Sequence, residues 1–199
     1  MFKDYKYYKN KLLTFNLDYE CQRFFEEKEY YLELAYCKLL NDELEESLRI
    51  FDSLNDITSR ARWGSVILGI LLDRMTPYPT YFDLRNFLEI DINLLLNYEK
   101  GKYVDEIVNY ADAFSSVNPE TYKYLGRAFF NNEIYSYAKF FFERAKNYLY
   151  KDPELHYLLA QYYLKEGNIK RALNTVENCL SILPEYFPAL NLKNKLTKI

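Results

Sequence analysis

Apolar positions fall at helical spacing along residues 119–184, and their pattern recurs at an offset of 34 residues. The offset superposes Pro119 on Pro153, Tyr122 on His156, Leu125-Gly126 on Leu159-Ala160, Phe129 on Tyr163, Ala138 on Ala172, Phe142 on Val176 and Ala145 on Cys179. Each copy is broken near its middle by turn residues, Asn131-Asn132 in the first and Gly167-Asn168 in the second, so the unit reads as two helices joined by a tight turn. Gly126 or Ala160 on the first helix, and Ala138 or Ala172 on the second, let two backbones approach closely while aromatic side chains fill the surrounding space. Enlarging one of them, as in Ala172→Leu, is expected to overpack that contact and cost about 1–3 kcal/mol.

Aromatic-x-x-Leu-Gly/Ala-x-x-Tyr, then Ala-x-x-x-Phe, then Pro resembles the tetratricopeptide-repeat signature. Residues 153–186 carry it from Pro153 through Pro184, and residues 119–152 carry it with Tyr150 where the closing proline is usual. A weaker copy spans 28–56, with Tyr31, Leu34 and Ala35, a turn around Asn41-Asp42, then Ser47, Phe51 and Leu54. The resemblance implies an all-α fold, a right-handed α-solenoid of antiparallel helix hairpins, irregular in the middle.

The irregular stretch is 57–118. A helix from about Ile57 to Arg74 containing Trp63 should end before Pro77 and Pro79, which forbid its continuation, giving a break at 75–79. A long helix is expected from Thr80 to about Lys100, apolar at Tyr81, Leu84, Leu88, Ile92 and Leu95 on one face and at Phe87, Ile90 and Leu94 on another, which predicts burial on both sides. Gly101-Lys102-Tyr103 and Tyr110-x-x-Ala113 then sit where a second helix belongs, and the count comes out one helix short of strict pairing. Residues 1–27 are expected to add one or two helices, and 187–199 a capping helix with Pro188 near its start and Lys193, Lys195 and Lys198 on its outer side. All of this is expected to form a single domain over 1–199.

Composition narrows the function. Five glycines and six prolines are too few for a many-turned β fold. The net charge of −3 supplies no positive field for nucleic acid or anionic lipid, so the abundant tyrosines read as packing residues instead of stacking platforms. The N-terminal residues carry closely spaced charges with no apolar stretch of signal-peptide length, and the run Val66–Leu72 is too short to cross a bilayer, so a cytoplasmic protein is expected. Cys21, Cys37 and Cys179 are widely spaced and form no C-x-x-C pair, as befits small buried residues in a reducing compartment.

Catalytic chemistry is not in view. The single histidine, His156, falls on a packing position; there is no phosphate-binding glycine loop and no H-E-x-x-H or G-x-S-x-G motif. The carboxylates Asp42, Glu43, Glu45 and Glu46 fall at a helix start, where acids favour the dipole and face water. No catalytic residue, metal or cofactor is expected.

The resemblance instead implies binding through the concave face, lined by first-helix residues that point away from their own hairpin. These are Glu120, Lys123, Arg127 and Asn131 in one repeat and Glu154, Tyr157, Gln161 and Lys165 in the next. Lys123 and Arg127, one turn apart, are expected to grip an acidic group of a bound peptide, with Lys165 nearby. The expected function is a protein–protein interaction scaffold holding a peptide segment or helix, the alternative being a structural subunit of a permanent assembly or a self-associating oligomer.

Overall fold

The computed structural model describes residues 3–14 and 16–198; Met1, Phe2, Phe15 and Ile199, which belong to the expected terminal segments 1–27 and 187–199, lie outside the described residues. Among the described residues all regular structure is helical. The chain divides into two compact units, Met1–Asp112 and Ala113–Ile199.

The first unit holds α1 (Tyr5–Leu13), α2 (Tyr19–Glu27), α3 (Tyr31–Leu40), α4 (Leu44–Leu54) and α5 (Ser59–Leu71). There follows one continuous helical rod made of α6 (Tyr81–Asp83), a π-helical turn (Leu84–Leu88) and α7 (Glu89–Asn97), and then α8 (Gly101–Val108). A ninth helix, α9 (Ala111–Val117), spans the division. The second unit continues with α10 (Thr121–Asn131), α11 (Tyr135–Lys146), α12 (Pro153–Lys165), α13 (Ile169–Ile182) and α14 (Phe187–Leu196).

Local chemistry sets these boundaries. Asp4, Asp18, Thr58, Asp152 and Asn168 each accept a backbone N–H at the start of the helix that follows, and Thr80 with Asp83 completes a reciprocal capping box. The C-terminal turns share one device. Glu29, Asp42, Asp73, Glu99, Glu133 and Gly167 adopt φ between 51° and 74°. The N–H of the next residue then returns to a carbonyl five positions back, as in Glu43 to Lys38, Lys100 to Leu95, Ile134 to Phe129 and Asn168 to Tyr163, each at 2.9 Å. Only one of these six positions is glycine, so a glycine-poor chain turns tightly by holding acidic residues in a left-handed conformation.

The irregular middle departs from expectation in two ways. Asn109 and Tyr110 interrupt the stretch expected to form a single helix, so α8 and α9 are separate, which supplies the helix missing from strict pairing. In the rod from Tyr81 to Asn97, Leu84, Leu88, Ile92 and Leu95 are fully buried and Leu94 is buried on the second face, but Tyr81 on the first face is 39% exposed and Ile90 on the second 53%, so burial on both faces is partial.

This rod lies against the first helices of its own unit. The Asp91 carboxylate, 2% exposed, accepts from the Tyr36 hydroxyl at 3.1 Å and Trp63 Nε1 at 2.7 Å, and pairs with Arg60. The Arg60 guanidinium sits 4.8 Å from the ring centres of both Tyr36 and Phe87. Buried Asp83 pairs with Arg62 at 2.8 Å, and Tyr98 beyond the end of α7 donates to the Leu12 carbonyl at 2.7 Å. A buried ion pair of this kind holds register because either partner left alone would be an uncompensated charge.

In the second unit the aromatic rings of the α10–α11 hairpin form its core: Tyr122, Phe141 and Phe129 stack with centroids 6.3 and 5.6 Å apart, and Arg144 lies 4.7 Å from the Tyr122 ring. Ala160, Ala172, Val176, Cys179, Ala189, Leu192 and Leu196 pack α12, α13 and α14 together. The small residues picked out by the repeat therefore sit where helices approach most closely.

Candidate partner-binding groove

Four of the expected face residues meet at the start of α10 and α12. Asp152 caps α12, accepting from the backbone N–H of Glu154 at 2.8 Å and of Leu155 at 3.3 Å, which fixes its carboxylate beside α10. There the Lys123 ammonium finds Asp152 at 2.6 Å, Glu154 at 2.9 Å and Glu120 at 3.1 Å, while Arg127 pairs with the other oxygen of Glu154. Burial alone would lower the Lys123 pKa, but its hydrogen bonds to Asp152 and Glu154 outweigh it and hold the ammonium above its usual range. Burial pushes the Glu120 carboxyl up, yet hydrogen bonds from Tyr124 and Lys123 leave it below its ordinary value.

This changes the role expected of Lys123 and Arg127. Lys123 is 4% exposed and surrounded by carboxylates of its own chain, so it clamps α10 to α12 and is not offered to a ligand. The reason is tertiary: besides Glu120 on its own helix, the acids that neutralise it are the cap and first turn of α12, 29 and 31 residues further along.

Tyr157, Gln161 and Lys165 open onto a groove. Its volume is about 520 Å³, and it runs between α10, α12 and α14, lined by Phe130, Tyr157, Gln161, Leu164, Lys165, Phe187, Pro188, Asn191, Leu192 and Lys195. Tyr157 meets Tyr186 edge-on with centroids 5.7 Å apart, and its hydroxyl accepts from Gln161 Nε2 at 3.1 Å, which fixes both side chains. Phe187 is 69% exposed at one end of the groove. Lys165 and Lys195 are both exposed, and neither forms an ion pair among the described residues. Of the expected residues, then, Tyr157, Gln161 and Lys165 line the groove; Glu120, Lys123, Arg127 and Glu154 form the adjoining ion cluster; Asn131 is exposed and outside both.

Phe130, Phe187, Asn191 and Lys195 were not among the expected residues, though a signal existed. Carrying the 34-residue offset one step further takes Glu154 to Pro188, Tyr157 to Asn191 and Gln161 to Lys195, all of which line the groove. The last helix is thus a groove wall as well as a cap. Lys195 faces the groove, whereas Lys193 pairs with Glu177 at 3.1 Å.

A second cavity of about 510 Å³ lies within the first unit, bordered by α1, α3 and α7 through Leu12, Leu13, Leu32, Tyr36 and Leu94. Its charges are internally matched, Lys9 with Glu33 at 3.0 Å and Arg60 with Asp91.

Elsewhere the side chains with chemical potential are structurally engaged. His156 bonds through Nε2 to the Tyr150 carbonyl at 2.9 Å, and all three cysteines are free and buried. The carboxylates at 42–46 hold cations: Asp42 takes Lys100 at 2.5 Å, Glu43 and Glu46 take Lys38, and Glu45 takes Arg74. Among the described residues no group of three or more His, Cys, Asp and Glu could hold a metal, and no helix is long and apolar enough to cross a membrane.

No protein-family model matches the chain, and no curated protein does. Among solved structures it is similar to YrrB, a TPR protein with an unusual peptide-binding site, at 17% identity and a TM-score of 0.46 over 86% of this chain and 96% of that one. It is similar to TTC0263, a TPR protein of Thermus thermophilus, at 16% identity and a TM-score of 0.44 over 86% of this chain and 99% of that one. The APC/C hetero-tetramer Cut9–Hcn1 is similar at 16% identity and a TM-score of 0.40, over 94% of this chain and 46% of that one.

Proposed function

We propose that the chain is a non-catalytic interaction scaffold that holds a polypeptide segment, carrying at least one acidic residue, in the groove between α10, α12 and α14. The observation that carries this reading is the pairing of an apolar floor with two exposed lysines. Phe130, Tyr157, Leu164 and Phe187 offer surface whose burial would drive association, while Lys165 and Lys195 offer charge that the chain leaves without an ion-pair partner among its described residues. Neighbouring Lys123 and Arg127 are spent on internal carboxylates, so selectivity for acid falls to the second pair of cations.

The test is a charge reversal at both positions. The full chain is titrated against short fluorescent peptides that differ in their number of acidic residues, and binding should rise with acid content. Lys165→Glu with Lys195→Glu should weaken the best binder by at least about tenfold, with the helical circular-dichroism signal unchanged. Binding that ignores the reversal removes the groove reading and leaves a permanent structural subunit as the better account.

A further inference from the structure

The way the first unit fills its own inner face indicates what shape of segment the second unit is built to take. In the repeat register Leu32 and Tyr36 stand to Leu34-Ala35 as Lys123 and Arg127 stand to Leu125-Gly126, so they occupy the same face of their first helix. In the first unit that face is partly covered, the uncovered part being the cavity that Leu32 and Tyr36 line. Tyr36 donates to Asp91 of α7, and Ser65 of α5, which occupies the matching position after Trp63-Gly64, is 2% exposed. The occupant is a helix. It buries Leu84, Leu88, Ile92 and Leu95 and presents one carboxylate, Asp91, to an arginine and two aromatic donors.

Resting on the groove reading above, we propose that the partner segment binds the groove of α10, α12 and α14 as an amphipathic helix with one apolar face and an acidic residue about two turns from its main apolar anchor. The spacing comes from the groove itself. Tyr157, Gln161 and Lys165 follow one another at intervals of four on α12, and Phe187, Asn191 and Lys195 do the same on α14. Both helices are joined by short turns to α13, so they run in the same sense, with aromatics at their N-terminal ends and lysines at their C-terminal ends. Eight residues of helix separate the two ends, a rise of about 12 Å. A bound helix spans that distance in seven or eight residues, whereas an extended strand needs about four.

Backbone chemistry favours the helix. An extended peptide brings unpaired N–H and C=O groups that the groove must satisfy, and its polar centre is only Gln161 and Asn191, the former already donating to Tyr157. A helix satisfies its own backbone and asks the groove only for apolar surface and a cation. Rows of side chains spaced by four form the ridges between which a second helix packs.

The experiment selects binders to the full chain from two phage libraries. One randomises the exposed face of a rigid single-helix scaffold, and the other displays unstructured linear peptides. The expected result is enrichment from the helical library of clones with an acidic residue seven or eight positions from a bulky apolar one. Synthetic versions should lose at least about tenfold in affinity on a central proline substitution, and again on Lys165→Glu with Lys195→Glu in the protein. If only linear peptides are enriched and their binding falls with the charge reversal, the helical mode is wrong and the groove reading survives. If neither library yields a binder that responds to the reversal, both fall together.

Discussion

Gly126 on α10 packs against Phe142 on α11, so closely that a Cβ on the glycine would stand 2.4 Å from Phe142 Cδ1 and 2.6 Å from Cε1. The ring is fully buried and cannot swing away. Gly126→Ala should therefore destabilise the protein by about 1–3 kcal/mol in spite of alanine's better helix propensity. Gly101 meets nothing within 4 Å, so Gly101→Ala should be neutral or stabilising by up to about 1 kcal/mol. Urea denaturation followed by circular dichroism compares the two; equal effects would mean that the close helix approach does not decide the glycine.

Lys123 provides a second test, because it is buried among three carboxylates. Lys123→Met keeps the stem and removes the charge, leaving Glu120, Asp152 and Glu154 to repel one another. A loss of about 3–5 kcal/mol is expected. Lys165→Met, at an exposed groove position, should change stability by less than about 0.5 kcal/mol, and this contrast separates the clamp from the proposed binding surface.

The same cluster predicts a pH dependence. The folded pKa of Glu120 lies below its ordinary value of 4.5, so its contribution is present above that value and is lost as the pH falls through the folded one. Asp18 and Asp42 are lowered in the same direction, chiefly by hydrogen bonds from Lys11 and Lys100. The raised pKa of Lys123 acts at the other limit: its contribution is intact below its ordinary 10.5 and is lost only as the pH rises through the folded value. Urea midpoints should hold level from neutral pH down to about 5 and fall below it, and fall less steeply in Lys123→Met, where Glu120 has lost a partner.

Glu133 holds φ of 60° in the turn between α10 and α11 and is exposed. A left-handed conformation costs a side-chain-bearing residue about 1–2 kcal/mol, which glycine avoids at some cost in unfolded-state entropy. Glu133→Gly should raise stability by about 0.5–1 kcal/mol, a gain of roughly 2–4 °C in melting temperature at most. A lower melting temperature would show that the glutamate side chain contributes more than its backbone costs.

The repeat legible in residues 119–184 fixed the α10–α11 and α12–α13 hairpins because packing of small residues against aromatics is local, within 34 residues, and leaves a periodic trace. Pro77 and Pro79 lie in the non-helical stretch before α6, but α5 stops already at Leu71, short of the expected Arg74, because Asp73 takes the left-handed turn there. The separation of α8 from α9 was not legible, because nothing in Asn109-Tyr110 forbids a helix as a proline would.

The candidate site was legible only by half. Tyr157, Gln161 and Lys165 followed from the register of their helix, and register is a property of sequence alone. Which cations stay available to a ligand was decided in three dimensions. Lys123 and Lys165 occupy the same kind of helix face, but the cap of α12 places Asp152 against the first, and no carboxylate among the described residues is placed to pair with the second. Sequence determined which residues share a face; tertiary structure, by bringing the carboxylates at the start of α12 within hydrogen-bond distance of some and not others, determined which of them stay without an ion pair among the described residues.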